Sequence, residues 1–225
     1  SETGYTTART AASAVSAQPV LPATAENEVR EEAAGLPTGS DGYFDEPRVM
    51  LATSEIVVAR DARPARGRLV WRENQCENLA IDGRCPQARD EVVLTRRSAV
   101  ALGAQVGDVL TVPSLAAEPE QAGTGDPFPT QVTVTGLYRP PDSAESYWFD
   151  NDLFDFRPAA GGLRDPRPAH LDAVFVAQEL LHALTTVTIQ ASAERALAVT
   201  DARDDDPERI DTMLEQHVRP NPNAE

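Results

Sequence analysis

The sequence predicts an α+β fold with helical patterns toward both ends of the chain and β patterns through the middle. Three observations predict it. The stretch 91–112, EVVLTRRSAVALGAQVGDVLTV, reads as a complete strand, helix, glycine turn and strand. β-prone runs recur from residue 67 to residue 138. Helical spacing of apolar residues marks segments near the start and the end.

Within 91–112 each boundary carries its own chemistry. Glu91, Val92, Val93 and Leu94 supply a short β-prone run, and Thr95 is placed to cap the next helix. Ala99 and Leu102 recur at helical spacing before Gly103 ends it. Gly107 then offers a positive φ, and Asp108 a side chain that bonds nearby backbone. Val109, Leu110 and Val112 restore β propensity.

The other elements follow in order. Tyr5, Ala8, Ala12 and Val15 share one helical face, which Val20-Leu21-Pro22 breaks. Residues 24–34 form an acidic and exposed helix closed by Gly35, and 37–47 a loop rich in glycine, aspartate and proline. Val49-Met50-Leu51 and Ile56-Val57-Val58 suit a strand pair or one long bulged strand. Leu69-Val70-Trp71 and the alternating Val132 and Val134 are further strands, with a hairpin excursion at 113–129 between them. Arg139-Pro140-Pro141-Asp142 ends that run, and 158–168 is the best candidate for a boundary. Then come a strand at 171–177, a short helix at 178–184 and a strand at 186–191, a βαβ-like order. In the last helix, 207–218, Asp206 caps, Pro207 takes the first position, and Ile210, Leu214, His217 and Val218 share a face.

Composition narrows the partners. The chain has 225 residues and a formal charge of −16, which opposes binding to nucleic acid and broad adsorption to anionic lipid. Every basic side chain is arginine, a pattern that matches a GC-rich coding bias and carries no mechanism. No window of about 18 apolar residues exists to span a membrane. The first ten residues, SETGYTTART, lack the basic start and apolar stretch of a secretory signal. The chain therefore reads as soluble. Either an excised extracytoplasmic loop or a secreted protein freed of its signal has this look.

Cys76 and Cys85 flank eight residues containing an Asp82-Gly83 turn, and the spacing predicts that they bond each other. Closing so short a loop removes about 2 to 3 kcal/mol of unfolded-chain entropy, and a disulfide implies an oxidising compartment. Two free thiols or half of a metal site are the competing readings. The metal reading is the weaker, since zinc needs about four ligands and His170, His182 and His217 lack ligand-like spacing with the cysteines.

The residues Glu91-Val92-Val93-Leu94, Ala101-Leu102-Gly103, Val106-Gly107-Asp108 and 132–138 (VTVTGLY) resemble, in that order, the MacB-like periplasmic core of FtsX-like ABC transporter permeases. Asp172-Ala173-Val174-Phe175-Val176 extends the resemblance toward the C-terminus. Short strand-helix-GD-strand pieces also occur in small β-barrels, including enzymes of the double-psi type. The family resemblance implies a discontinuous α/β porter-like lobe from 1–60 and 165–225, next to the membrane, with an inserted β-rich sabre-like lobe at 61–164. It further implies transmembrane helices of the same permease, a separate cytoplasmic ATPase, a dimer in the full transporter, and an extracytoplasmic protein or lipophilic substrate. Ser1 and Glu225 are then expected to lie close together.

The search for chemistry finds no G-x-S-x-G, phosphate loop or H-E-x-x-H, so no catalytic residue, cofactor or metal is expected. Asp201 and Asp204-Asp205-Asp206 lack the ligand order of a calcium loop and suit an acidic helix cap. Ser40-Asp41-Gly42 reads as a turn. The one concentration of functional promise is aromatic: Tyr147, Trp148, Phe149, Phe154 and Phe156. Either they pin the central lobe to the core, or they form a surface for a partner or an apolar ligand. A free secreted or lipid-anchored binding domain and an enzyme on a small β-barrel are the alternatives. The barrel enzyme would need a pocket with converging titratable groups.

Overall fold

A computed structural model describes residues 22–35, 48–112, 131–141, 147–148, 152–161, 167–184 and 187–194. The expected helices at 5–15 and 207–218, the loop at 37–47, the excursion at 113–129, Phe149, the aspartates at 201–206 and both chain ends lie outside these residues. Among the described residues no helix is long and apolar enough to cross a membrane.

The 91–112 unit forms as its residues dictate. Strand β6 (Glu91–Thr95) leads into helix α2 (Arg96–Leu102). Thr95 Oγ1 accepts the Ser98 N–H at 3.1 Å, the first-turn cap expected of threonine. Gly103 closes the helix at φ 67°, a left-handed conformation open to glycine, and its N–H bonds the Val100 carbonyl. Asp108 Oδ2 accepts the Gln105 N–H at 2.9 Å and shapes the turn into β7 (Val109–Thr111). Strand β8 (Gln131–Tyr138) then runs parallel to β6 and antiparallel to β7. Thr135 bulges out of the β6 pairing, where the register shifts, and its hydroxyl donates to the Arg84 carbonyl at 3.1 Å.

From this unit the hydrogen-bonded pairs close into a ring. β7 pairs with β2 (Ile56–Arg60), and β2 with β3 (Arg63–Gly67). Only Arg68 separates β3 from β4 (Leu69–Arg72), so 63–72 is one extended run. Beside it, β9 (Ala169–His170) pairs parallel to β3, and β10 (Val174–Val176) parallel to β4. β10 pairs antiparallel with β6 and completes the circuit. At the β3–β4 join the two runs meet closely: a Cβ on Gly67 would stand 3.2 Å from Leu171 Cβ.

Outside the ring, β1 (Arg48–Thr53) pairs antiparallel with β4, and β11 (Ile189–Glu194) antiparallel with β1. These directions leave β11 parallel to β10, joined through α3 (Gln178–Ala183) across two intervening strands. α3 packs on β1 and β4, while α1 (Pro22–Gly35) packs on β11, β1 and α3. The short β5 (Ile81–Gly83) pairs with β8. The fold is thus α+β with a large mixed sheet and few helices.

The central strands are buried on both faces, which is why their sequences read as nearly unbroken apolar runs. Val92, Leu94, Val174 and Val176 face one core together with Leu69, Leu102, Leu110 and Val134. Val93, Phe175 and Val70 face a second core, richer in aromatics.

Several expectations change. The runs in 48–59 form two strands, as expected, but β1 and β2 do not pair with each other; they diverge to opposite parts of the sheet. Asp82-Gly83 is part of β5, with Gly83 at φ 112°, and the turn precedes it in 73–79. The strand expected at 171–177 is confined to Val174–Val176; ahead of it the Asp172 N–H bonds Ser98 Oγ and the Ala173 N–H bonds the Leu153 carbonyl instead of a neighbouring strand. The strand expected at 186–191 is displaced to Ile189–Glu194, where β1 supplies its partners. Residues flanking the expected boundary pair as a hairpin, with the Arg157 N–H on the His170 carbonyl at 2.9 Å. Strands from 1–60 and 165–225 are interleaved with strands from 61–164 in one sheet, with β11 and β1 side by side and β6, β8 and β7 consecutive.

Candidate functional site

The aromatic residues build the lid of the second core. Tyr147 and Trp148 are only 7% and 2% exposed. The Trp148 ring stacks edge-on with Phe154 at 5.5 Å and tilts against Phe175 at 5.4 Å. Its Nε1 donates to the Asn78 carbonyl at 3.0 Å, and the Tyr147 hydroxyl donates to the Glu73 carbonyl. The Arg72 guanidinium lies 4.7 Å from the Tyr147 ring centre and donates to the Tyr147 carbonyl at 2.7 Å. Burial pushes the Tyr147 phenol up to about 12.

Tyr147 and Trp148 are thus buried and offer little area to a partner. Phe154 and Phe156 are half-buried, and the Arg97 guanidinium sits 5.5 Å over the Phe156 ring. Trp148 holds the cysteine loop through the Asn78 carbonyl, and Tyr147 holds the chain just ahead of it through the Glu73 carbonyl.

Cys76 and Cys85 are bonded to each other, and Leu79, inside the loop they close, is buried in the second core. An open groove of about 360 Å³ runs beside the bridge, between Trp71, Gln75, Pro86, Ala177 and Gln178. Its buried amide is already committed: Gln75 donates to the Val176 carbonyl at 2.8 Å and accepts the Arg72 N–H at 3.0 Å. Arg72, Glu77 and Glu179 also line the groove. Among the described residues no cluster of His, Cys, Asp and Glu is arranged to hold a metal ion.

Two polar constellations escaped the sequence reading. The first is centred on Asp172, fully buried between β9 and β10. Its carboxylate accepts Thr95 Oγ1 at 2.6 Å, Arg97 Nε at 2.7 Å and Arg97 Nη2 at 2.6 Å, while its own N–H donates to Ser98 Oγ at 3.1 Å. The capping residue of α2 is thereby fastened to the strand closing the ring. An acid inside the apolar run LDAVFVA was the available signal. Beside it the Tyr138 hydroxyl donates to the Ala173 carbonyl at 2.6 Å, and burial, reinforced by the Asp172 charge, pushes that phenol far up.

The second constellation joins α1 to α3. Glu26 is 7% exposed and accepts Arg30 Nη2 at 3.0 Å, Gln178 Nε2 at 2.8 Å and the His182 ring at 2.6 Å. Burial alone would push its carboxyl up. Hydrogen bonds from Arg30, His182 and Gln178, with the His182 charge, more than offset burial and hold it below the ordinary value. The sequence signal was only a Glu-Arg pair at i,i+4, which is common on any helix surface.

The turn between α2 and β7 has a structural task. Arg60 donates to the Gly103 carbonyl and pairs with Asp108 at 3.2 Å, so the glycine and aspartate that shape the α2–β7 turn also anchor it to β2.

No family model matches the sequence, and no curated protein matches it. Among solved structures the chain is similar to the extracellular domain of the noncanonical ABC-type transporter YknZ from Gram-positive bacteria, at 10% identity and a TM-score of 0.40, over 84% of this chain and 77% of that one. It is also similar to a domain of a putative permease protein from Porphyromonas gingivalis, at 11% identity and 0.38, over 82% and 73%. A third likeness is to the periplasmic region of MacB from Actinobacillus actinomycetemcomitans, at 11% identity and 0.40, over 83% and 70%.

Proposed function

We propose that this chain is a non-catalytic extracytoplasmic domain of an FtsX-like, MacB-related ABC transporter permease. In this reading a separate cytoplasmic ATPase moves the transmembrane helices, and the domain carries that motion to an extracytoplasmic protein or lipophilic substrate. The observation that carries the reading is the 91–112 unit with β8. The residues that resemble the family build one interlocked piece, in which β8 pairs with both β6 and β7 and Thr95 and Gly103 cap α2. The Cys76–Cys85 bridge supports an oxidising compartment outside the cytoplasm.

The two lobes are then assigned as follows. The porter-like lobe, 1–60 and 165–225, holds α1, β1, β2, β9, β10, α3 and β11; the sabre-like lobe, 61–164, holds α2 and β3 to β8. Strands of the two lobes pair side by side in one sheet, so movement of one passes to the other through hydrogen-bonded strands. A flexible linker would absorb such movement.

The test is a tagged copy of the whole gene product in its source cells, isolated from membranes in mild detergent. Recovery with an ATPase subunit bearing a phosphate loop supports the proposal. Recovery from the soluble extracytoplasmic fraction without such a subunit overturns it and favours a free binding domain. As a companion measurement, spin labels on Ser1→Cys and Glu225→Cys should report a short, narrow distance, as two ends rooted in neighbouring helices require.

A further inference from the structure

We infer that α1 is a latch, seated on the sheet by one buried polar clamp at Glu26 and able to leave that seat while the ring of strands stays folded. The seat is small in apolar terms. Of the described α1 side chains, Ala25 and Val29 are the apolar ones buried, against β strands that bury both faces in the ring. Between them on the same inward face stands Glu26, a carboxylate removed from water. A desolvated carboxylate is tolerated only where donors surround it. Two of its three donors, Gln178 and His182, belong to α3, so the bonds that satisfy it exist only when α1 is docked.

The charges around the clamp agree. On α1 itself, Arg30 holds Glu26 and reaches Glu73 beyond β4 at 3.4 Å. Glu73 in turn accepts the Val49 N–H of β1 at 3.3 Å. On α3, His182 faces the carboxylate and Glu179 is exposed. Arg48 of β1 lies over the Tyr147 ring. Because the Glu26 carboxyl is held below its ordinary value when docked, its contribution is full above the ordinary carboxylate range. It is lost as the pH falls through the docked value. The latch rests on these contacts alone and stands whether or not the transporter reading does.

The experiment is amide hydrogen exchange of the whole chain, read by mass spectrometry, with peptides from α1 compared with peptides from β6 and β8. At neutral pH, α1 should be less protected than β6. Glu26→Gln should lower α1 protection about tenfold or more and leave β6 and β8 unchanged, a change equal to about 1.4 kcal/mol in the opening equilibrium. Equal loss in β6 and β8 overturns the latch, since α1 would then be part of one cooperative core. Unchanged α1 protection overturns the clamp. Gln178→Ala and His182→Ala, both at half-buried α3 positions, give the same reading should Glu26→Gln misfold: selective loss in α1 supports the latch, and no loss overturns it.

Discussion

Replacing Asp172 tests whether the ring of strands is locked at its closure. Its carboxylate is fully buried and receives three hydrogen bonds, two of them from the Arg97 guanidinium. Hydrogen bonds to a charged group contribute about 1.5 to 3 kcal/mol each, and breaking a wholly buried ion pair costs about 3 to 5. The full figure does not apply, because the Arg97 side chain is 43% exposed and keeps the Phe154 carbonyl at 2.9 Å. Once released, it is rehydrated. Thr95 Oγ1 retains Ser98 Oγ at 2.8 Å. Asp172→Ala should therefore destabilise by about 2 to 4 kcal/mol, and Asp172→Asn, which keeps one acceptor oxygen and the shape, by about 1 to 2.

Urea unfolding measures this directly, provided the slope is unchanged so that the midpoint shift reports stability. The informative quantity is the coupling with Arg97→Ala in a double-mutant cycle, expected to be about 1 kcal/mol or more. A coupling near zero, with both single variants close to wild type, would show that the ion pair is incidental and that apolar packing alone closes the ring.

Three further outcomes are expected. Cys76→Ser with Cys85→Ser should cost about 2.7 kcal/mol by loop-closure entropy for a ten-residue loop, measured by urea unfolding with and without reductant; an unchanged midpoint would mean that Trp148 and the buried Leu79 already hold the loop. Gly136→Ala places a Cβ 2.6 Å from Ile81 Cγ2 and 2.9 Å from the Arg84 carbonyl, and since backbone must move, a loss of about 1 to 3 kcal/mol is expected from the same titration. The Arg84 guanidinium, then the Gln87 and Ala88 N–H groups, pull the Glu91 carboxyl down to about 2. A depressed folded value means that the stabilisation is present above the ordinary value of 4.5 and is lost as the pH falls from there toward 2. A carboxyl-carbon titration by nuclear magnetic resonance with a midpoint near the ordinary value would refute it.

What the sequence made legible was local. Thr95, Gly103 and Gly107 were readable because each acts within a few residues of itself: a cap, a left-handed stop, a turn. The same holds for α1, α3 and the alternation of Val132 and Val134. The bridge was legible because ten residues of chain keep two cysteines near each other whatever the fold. The pairing of strands was not. Nothing in Val49-Met50-Leu51 or Ile56-Val57-Val58 says that the first joins β4 and β11 while the second joins β3 and β7. That choice depends on partners elsewhere in the chain, such as Val109–Thr111 for β2 and Ile189–Glu194 for β1.

The aromatic residues show why composition misleads about surfaces. Five rings in ten residues look like a contact face, since apolar area has to be covered by something. Whether the cover is a partner or the protein itself depends on the other side of the contact. Here Phe175, Val70 and Val93 turn toward the rings because the strands carrying them are buried on both faces, and that second face needs a lid. Tyr147 and Trp148 supply it, with their polar atoms spent on the Glu73 carbonyl and on the Asn78 carbonyl of the cysteine loop. The same accounting locates where this molecule is able to move. The ring and its lid are closed by apolar contact on both faces and by Asp172. Among its described side chains, α1 buries two small apolar ones and a carboxylate with two donors on α3. Motion delivered to this chain should therefore be taken up first at α1, where polar bonds can be exchanged for water, and last at β6 and β8, where they cannot.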